Sequence, residues 1–135
     1  MTHARGILAA VVLAMAPALA QAEGFYTRDL GEGGTPDACM SRAQRALNAF
    51  AMEPGNAGAL VVSGAWSVAG YNLQPGNVDV EFACPYRDSF VSIVLMSAHS
   101  DGDENQRIFI ADALEQRWNA AGQAGEVRDG GTPSK

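Results

Sequence analysis

Residues 78–84 read Val-Asp-Val-Glu-Phe-Ala-Cys, and apolar side chains alternate with acidic or small ones along the whole stretch. Successive side chains of a β-strand point to opposite faces, so a period of two places positions 78, 80, 82 and 84 on one face. That apolar face needs a core, whereas the opposite face carries the carboxylates. The stretch therefore predicts a half-buried strand whose buried face ends at Cys84, one of the two cysteines of the chain.

The second cysteine, Cys39, lies in a stretch with a helical pattern of apolar residues, 45 positions before Cys84. Residues 1–22 have the features of a secretory signal peptide, and two cysteines in a small exported chain usually pair. The spacing of the two is not that of a Cys-x-x-Cys redox motif. We predict a structural disulfide between Cys39 and Cys84, which joins the first helix to the strand at 78–84. A catalytic or metal-binding pair of thiols is the alternative.

The first helix is predicted from Pro36 to about Ala51. Thr35 is a suitable N-cap, proline is favoured at the first helical position, and Asp37 complements the positive end of the helix dipole. Apolar residues recur at helical spacing and form one stripe: Cys39, Ala43, Ala46, Leu47 and Phe50.

A second helix is predicted from about Glu104 to Ala121, with Gly122 as its C-cap. The residues that follow, 123–135, show no apolar periodicity, so they predict a disordered tail. The buried stripe of this helix comprises Ile110, Ala111, Leu114, Trp118 and Ala121.

Three further segments have the composition of strands. Residues 25–30 could form a short edge strand, and residues 59–73 form a strand region in which Gly64 and Gly70 predict a bulge or bend. Residues 90–98 are apolar with little alternation, which predicts a strand in the middle of the sheet or covered on both faces.

The resulting order is (β)-α-β-β-β-α. It predicts one α+β domain, residues 23–122, built as a two-layer sandwich. The sheet would be antiparallel, with three strands, or four if the first segment pairs, and both helices would pack on one face.

Residues 1–22 have the features of a secretory signal peptide. An apolar run from Ile7 to Ala16 is followed by Ala20-Gln21-Ala22, a small-x-small cleavage pattern. The run is shorter than the roughly 20 residues that span a bilayer, so a transmembrane anchor is not expected. The small-x-small pattern predicts cleavage after Ala22, with Ala20 as the alternative. The mature chain is expected in the periplasm or secreted, without membrane insertion.

The charge balance excludes one class of partner. The formal net charge is −6, and removal of Arg5 leaves eight basic against 15 acidic groups, or −7. Proteins that bind nucleic acids need clustered Lys and Arg, and the only lysine is Lys135. The helix-strand-strand-strand-helix order is shared with double-stranded-RNA-binding domains, but the acidic surface and the signal peptide argue against that function.

His99 is the only histidine after the predicted cleavage. A hydrolase site would combine it with Ser97 or Ser100 and with Asp101 or Asp103. Catalytic triads converge from separate segments, and no Gly-x-Ser-x-Gly motif is present. We therefore interpret His99 as a histidine at a strand end in solvent.

Asp101, Asp103 and Asn105 resemble positions 1, 3 and 5 of an EF-hand calcium loop. Gln106 stands where the loop needs glycine, and Asp112 stands where a bidentate glutamate is usual. An acidic helix cap accounts for the same residues without a metal. No catalytic residue, metal ligand or cofactor is predicted.

The aromatic residues leave two interpretations open, because they could belong to the core or line a ligand surface: Phe25, Tyr26, Trp66, Tyr71 and Tyr86. The favoured function is a small exported, non-enzymatic binding or interaction domain that meets another protein or an envelope component. The alternative is a small-ligand or calcium-binding protein, and a small hydrolase is favoured least.

Overall fold

A computed structural model describes the backbone of residues 23–129 and the side chains of residues 23–123. The predicted signal peptide, residues 1–22, and the last six residues lie outside the described part. The elements are β1 (Gly24–Asp29), α1 (Pro36–Ala51), β2 (Leu60–Ser63), β3 (Ser67–Leu73), β4 (Val78–Ala83), β5 (Leu95–Ser100) and α2 (Glu104–Asp129).

The strands form one antiparallel sheet in the order β1-β5-β4-β3-β2. Strands β2 to β5 are a meander, and β1 lies beside β5, with Gly24 opposite Ser100 and Asp29 opposite Leu95. The predicted α+β class is confirmed. The predicted count of three or four strands is wrong, because the sheet has five.

The extra strand comes from the region 59–73, where a turn takes the place of the predicted bend. The amide of Gly64 donates to the carbonyl of Ser67 at 2.7 Å, so β2 ends there and β3 folds back along it. Gly70 has a different role, at the start of an irregularity in the β3–β4 register. A Cβ at Gly70 would lie 2.7 Å from a methyl carbon of Leu47, so glycine permits the close approach of α1.

The predicted strand at 90–98 is displaced. Strand β5 begins only at Leu95, and the preceding residues form an irregular connector that bonds to the β1–α1 connector. The amide of Gly33 donates to the carbonyl of Val91, and that of Leu30 to the carbonyl of Val94, both at 2.9 Å. The connector buries its two valines and exposes Phe90, and β5 is covered by a helix on one face only. Strand β5 lies between β1 and β4, so the predicted position inside the sheet is confirmed, whereas the alternative of cover on both faces is wrong.

Helix α1 has the predicted bounds. The hydroxyl of Thr35 accepts from the amide of Ala38 at 3.3 Å, and proline occupies the first turn. The predicted stripe is buried throughout.

Helix α2 begins as predicted and ends later, because Gly122 lies inside it. A Cβ at Gly122 would collide with the guanidinium of Arg42, so this glycine makes room for the contact between the helices. No proline follows before Pro133, and the backbone stays helical to Asp129. The predicted tail thus overlaps the last turns of α2.

Both helices pack on the same face of the sheet. Helix α1 covers β2 and β3, α2 covers β1, β4 and β5, and the two helices contact each other. Phe82 stacks on Trp118 with ring centroids 5.8 Å apart. The predicted disulfide is present: Cys39 and Cys84 are both buried, with Cα atoms 6.1 Å apart, and they tie α1 to the residue after β4.

Arg28 fastens the edge strand β1 to α2. Its Nη2 donates to the hydroxyl of Tyr26 at 2.6 Å, and its Nη1 contacts Asp112 at 2.8 Å and also Glu115. The hydrogen bond to Tyr26 and the two carboxylates raise the pKa of Arg28 above its ordinary value, against the lowering effect of burial. Strand β1 is therefore held beneath the helix layer by charge-assisted contacts.

Candidate interaction surface

The second face of the sheet is not covered by either helix. Because side chains alternate along each strand and both helices lie on the opposite side, the outward positions form one continuous surface, which we call the open face. It comprises Phe25, Thr27, Asp29, Leu60, Val62, Ser67, Ala69, Tyr71, Asp79, Glu81, Ala83, Leu95, Ser97 and His99.

Glu81 stands at the centre of the open face, on the middle strand β4. Its direct cross-strand neighbours are Ser97 on β5 and Ala69 on β3. One strand further out, the hydroxyls of Thr27 and Ser97 form a hydrogen bond at 3.2 Å. A long carboxylate side chain is thus flanked by small residues, which leave it accessible from above the sheet.

A second set of cross-strand neighbours on the open face consists of Phe25, His99 and Asp79. The ring of Phe25 stacks on that of His99 with centroids 5.4 Å apart. His99 Nε2 lies 3.8 Å from Asp79 Oδ2, which is too long for a hydrogen bond. Asp79 Oδ1 instead accepts from the amide of Asn72 at 2.9 Å, so this carboxylate is partly engaged within the sheet.

Apolar side chains lie toward the two edges of the open face. Phe25 on β1 is 66% exposed, and on β2 Leu60 is 57% and Val62 45% exposed. Tyr71 and Leu95 are also among the exposed large residues. Leu60 and Val62 adjoin Tyr71 across β2 and β3, and an exposed apolar cluster of this kind is typical of interaction sites.

An aromatic corner, formed by Trp66, Pro85 and Tyr86, lies where the β2–β3 turn meets the β4–β5 connector. These residues line a cleft of about 460 Å³. The carbonyl of Trp66 accepts from the amide of Cys84 at 2.8 Å, and Cys84 is fixed to α1 by the disulfide. The backbone of this corner is thus anchored on both sides.

The structure resolves the open question about the aromatic residues. Phe25 and Tyr71 belong to the open face, and Trp66 and Tyr86 belong to the aromatic corner. Only Tyr26 of the five packs partly against the core, where its hydroxyl accepts from Arg28.

The residues of the hydrolase hypothesis are not assembled. Ser97 and His99 share the open face, but Ser97 bonds to Thr27. Ser100 faces the opposite side, is buried, and its carbonyl accepts from Arg107 Nη1 at 3.1 Å. The carboxylate beside His99 belongs to Asp79, a residue that the hydrolase hypothesis does not include.

The residues of the calcium hypothesis have other partners. Asp103 Oδ1 accepts from the amide of Asn105 at 2.8 Å, as a helix cap does. Asp112 lies on α2 and pairs with Arg28 at 2.8 Å. Within the described residues, no three His, Cys, Asp or Glu side chains are grouped as a metal site requires.

Two further clefts lie in the helix layer, and charged groups in them stabilise the fold. In one, of about 750 Å³, Arg42 Nε donates to the carbonyl of Trp118 at 2.7 Å, with the guanidinium 4.0 Å from the ring centroid. In the other, of about 570 Å³, Arg117 covers Phe50 and pairs with Glu53, and burial lowers the pKa of Arg117. The open face remains the stronger candidate.

Comparison with protein families, curated proteins and solved structures finds no match to this chain. None of the helices within residues 23–129 has the length and apolar character needed to cross a membrane. Sequence reasoning placed Glu81 on an outward face through the alternation of 78–84, but it gave no sign that Leu60 and Val62 point outward.

Proposed function

We propose that this protein is a small exported, non-enzymatic binding domain that engages a protein or envelope partner through the open face. The observation that carries the proposal is a complete sheet face without a helix, with exposed apolar side chains at both edge strands. Phe25 and Leu60 are each more than half exposed there. Exposed apolar patches on a protein surface are typical of protein–protein interaction sites.

The architecture also suits a rigid binding surface. The open face is the outer side of a sheet whose other side is the core, so its side chains are positioned by buried neighbours such as Val80 and Phe82. The edge strands β1 and β2 offer unpaired backbone groups that can extend the contact by strand addition.

Export is supported by the disulfide between Cys39 and Cys84, because such bonds persist in oxidising compartments. We expect protein recovered from the periplasm or the medium to begin at Glu23. Intact-mass measurement tests this directly. Recovery of a full-length species from the cytoplasm as the main product would contradict export.

Position-specific photo-cross-linking tests the binding role. A photoreactive amino acid at Val62 on the open face should give a discrete cross-linked product in cells. The same amino acid at Gln44, an exposed position on α1, is the matched control and should not give it. Identical product patterns at the two positions, or a product at Gln44 alone, would overturn the proposed surface.

A further inference from the structure

We infer that the partner is a protein segment that presents an arginine or lysine between apolar side chains, and that Glu81 receives this basic group. The inference rests on the proposed binding function and adds the chemistry of the partner.

The open face is acidic. Its outward positions include Asp29, Asp79 and Glu81 but no Lys or Arg, and His99 is the only other ionisable side chain apart from the Tyr71 hydroxyl. Anionic partners, such as acidic lipid surfaces and nucleic acids, are repelled by such a face, whereas a basic partner is attracted. The arginines of the described side chains lie on other parts of the molecule: Arg28, Arg42, Arg45, Arg87, Arg107 and Arg117.

Glu81 is the carboxylate of this face that is best placed to receive a partner. Asp29 accepts from the amide of Gly31 at 2.7 Å, and Asp79 accepts from the amide of Asn72 and lies beside His99. Within residues 23–123, Glu81 has neither a hydrogen bond nor an ion pair through its side chain. It is exposed on the central strand, between the small residues Ala69 and Ser97.

The surroundings of Glu81 favour a basic side chain carried on an apolar segment. Val62 and Tyr71 stand toward one edge of the sheet, and Leu95 and Phe25 toward the other. The aliphatic stem of an arginine or lysine can pack on these residues while its charged end reaches the carboxylate. Exclusion of water by the apolar contacts strengthens such a pair relative to an ordinary surface ion pair.

A second copy of this chain is a poorer occupant. A symmetric face-to-face dimer would bring Asp79 and Glu81 of one copy toward the same acidic residues of the other. Like charges opposed across an interface disfavour association. We therefore expect the protein alone to sediment as a monomer, and a dimer that is lost on Val62→Ser would overturn the inference.

The test is selection of peptides from a phage-displayed random library on the mature protein. We expect the selected peptides to carry Arg or Lys next to apolar residues, and to bind more weakly as ionic strength rises. Synthetic versions should bind Glu81→Gln about tenfold or more weakly, the loss typical of a charged hydrogen bond. Glu32 is exposed on the β1–α1 connector and lines the cleft of about 750 Å³ in the helix layer. Glu32→Gln is the matched control, because it makes the same change in charge away from the open face. Its binding should equal that of the wild type.

Two other outcomes separate this inference from the proposed function. Peptides that lack basic residues, and whose binding is weakened by Val62→Ser but not by Glu81→Gln, would overturn the basic partner and leave the open face as the binding surface. Peptides unaffected by either change would overturn both. Unchanged unfolding midpoints in the two variants would show that any loss of binding is not a loss of fold.

Discussion

The two faces of the sheet are made from the same strands and differ in almost every other respect. On the covered face, Val80 and Phe82 of β4 are fully buried beneath the helices, and the disulfide closes one end. On the open face, Glu81 of the same strand stands in solvent between small residues. The difference teaches that stability resides on one side of each strand, which leaves the other side available for recognition.

The largest expected effect is on the covered face. Phe82→Ala removes a fully buried ring that stacks on Trp118, and it should lower the free energy of unfolding by about 3–5 kcal/mol. Urea unfolding followed by tryptophan fluorescence measures the loss. Glu81→Ala, the adjacent residue on the other face, is the control and should leave stability nearly unchanged. Equal losses in the two variants would remove the distinction between the faces.

The disulfide between Cys39 and Cys84 should contribute nearly as much to the free energy of unfolding as the ring of Phe82. Cross-linking residues 45 apart restricts the unfolded chain, which the chain-entropy model values at about 4 kcal/mol. Cys39→Ser, Cys84→Ser and the double variant should therefore lose similar amounts of stability. Additive losses would indicate independent cysteines, and two reactive thiols in the denatured, unreduced protein would refute the bond directly.

A smaller loss is expected at Asn56, a buried polar residue that links α1 to the end of β3. Its Nδ2 donates to the carbonyl of Phe50 at 3.1 Å, and its Oδ1 accepts from the amide of Gln74 at 2.8 Å. Asn56→Ala leaves the amide of Gln74 unpaired and removes one of two hydrogen bonds to the carbonyl of Phe50, which also accepts from the amide of Glu53. It should cost about 1–3 kcal/mol. Asn48→Ala, on the exposed side of α1, should show no comparable change in thermal unfolding.

The smallest effect on stability is expected on the open face itself. Val62 packs on no helix, so Val62→Ser should change the free energy of unfolding by no more than about 0.5 kcal/mol. The same substitution should weaken partner binding. A large loss of stability in this variant would show that Val62 belongs to the core and would leave β2 without its proposed role.

Much of the covered face could be predicted from the sequence, because the buried apolar residues recur with the period of a strand or a helix. The alternation at 78–84 identified the buried side of β4, and the stripe through Cys39 and Leu47 identified that of α1. The disulfide followed from these two patterns together with the inferred export. Helical periods and strand alternation are local signals, so they can be recognised without knowledge of the tertiary contacts.

The open face was harder to predict, because nothing packs against it. Leu60, Val61 and Val62 are all apolar, so their sequence does not show that only Val61 packs on the core. Gly64 gave the same signal as Gly70, although one ends a strand and the other permits the approach of Leu47. The pairing of β1 with β5 depends on contacts between distant segments, which no local pattern specifies.

That pairing has a consequence for the order in which the molecule is built. Thr27 and Ser97, which are hydrogen-bonded across β1 and β5, are 70 residues apart, so β1 acquires its partner only after β2, β3 and β4 have been made. The meander β2 to β5 joins neighbours in the chain and can form earlier, since short loops close at a lower entropic cost. The edge strand that carries Phe25 is therefore expected to dock late, and until then the outer edge of β5 is unpaired. An unpaired strand edge is prone to associate with other chains, so this edge is where a chaperone would protect the folding protein most effectively.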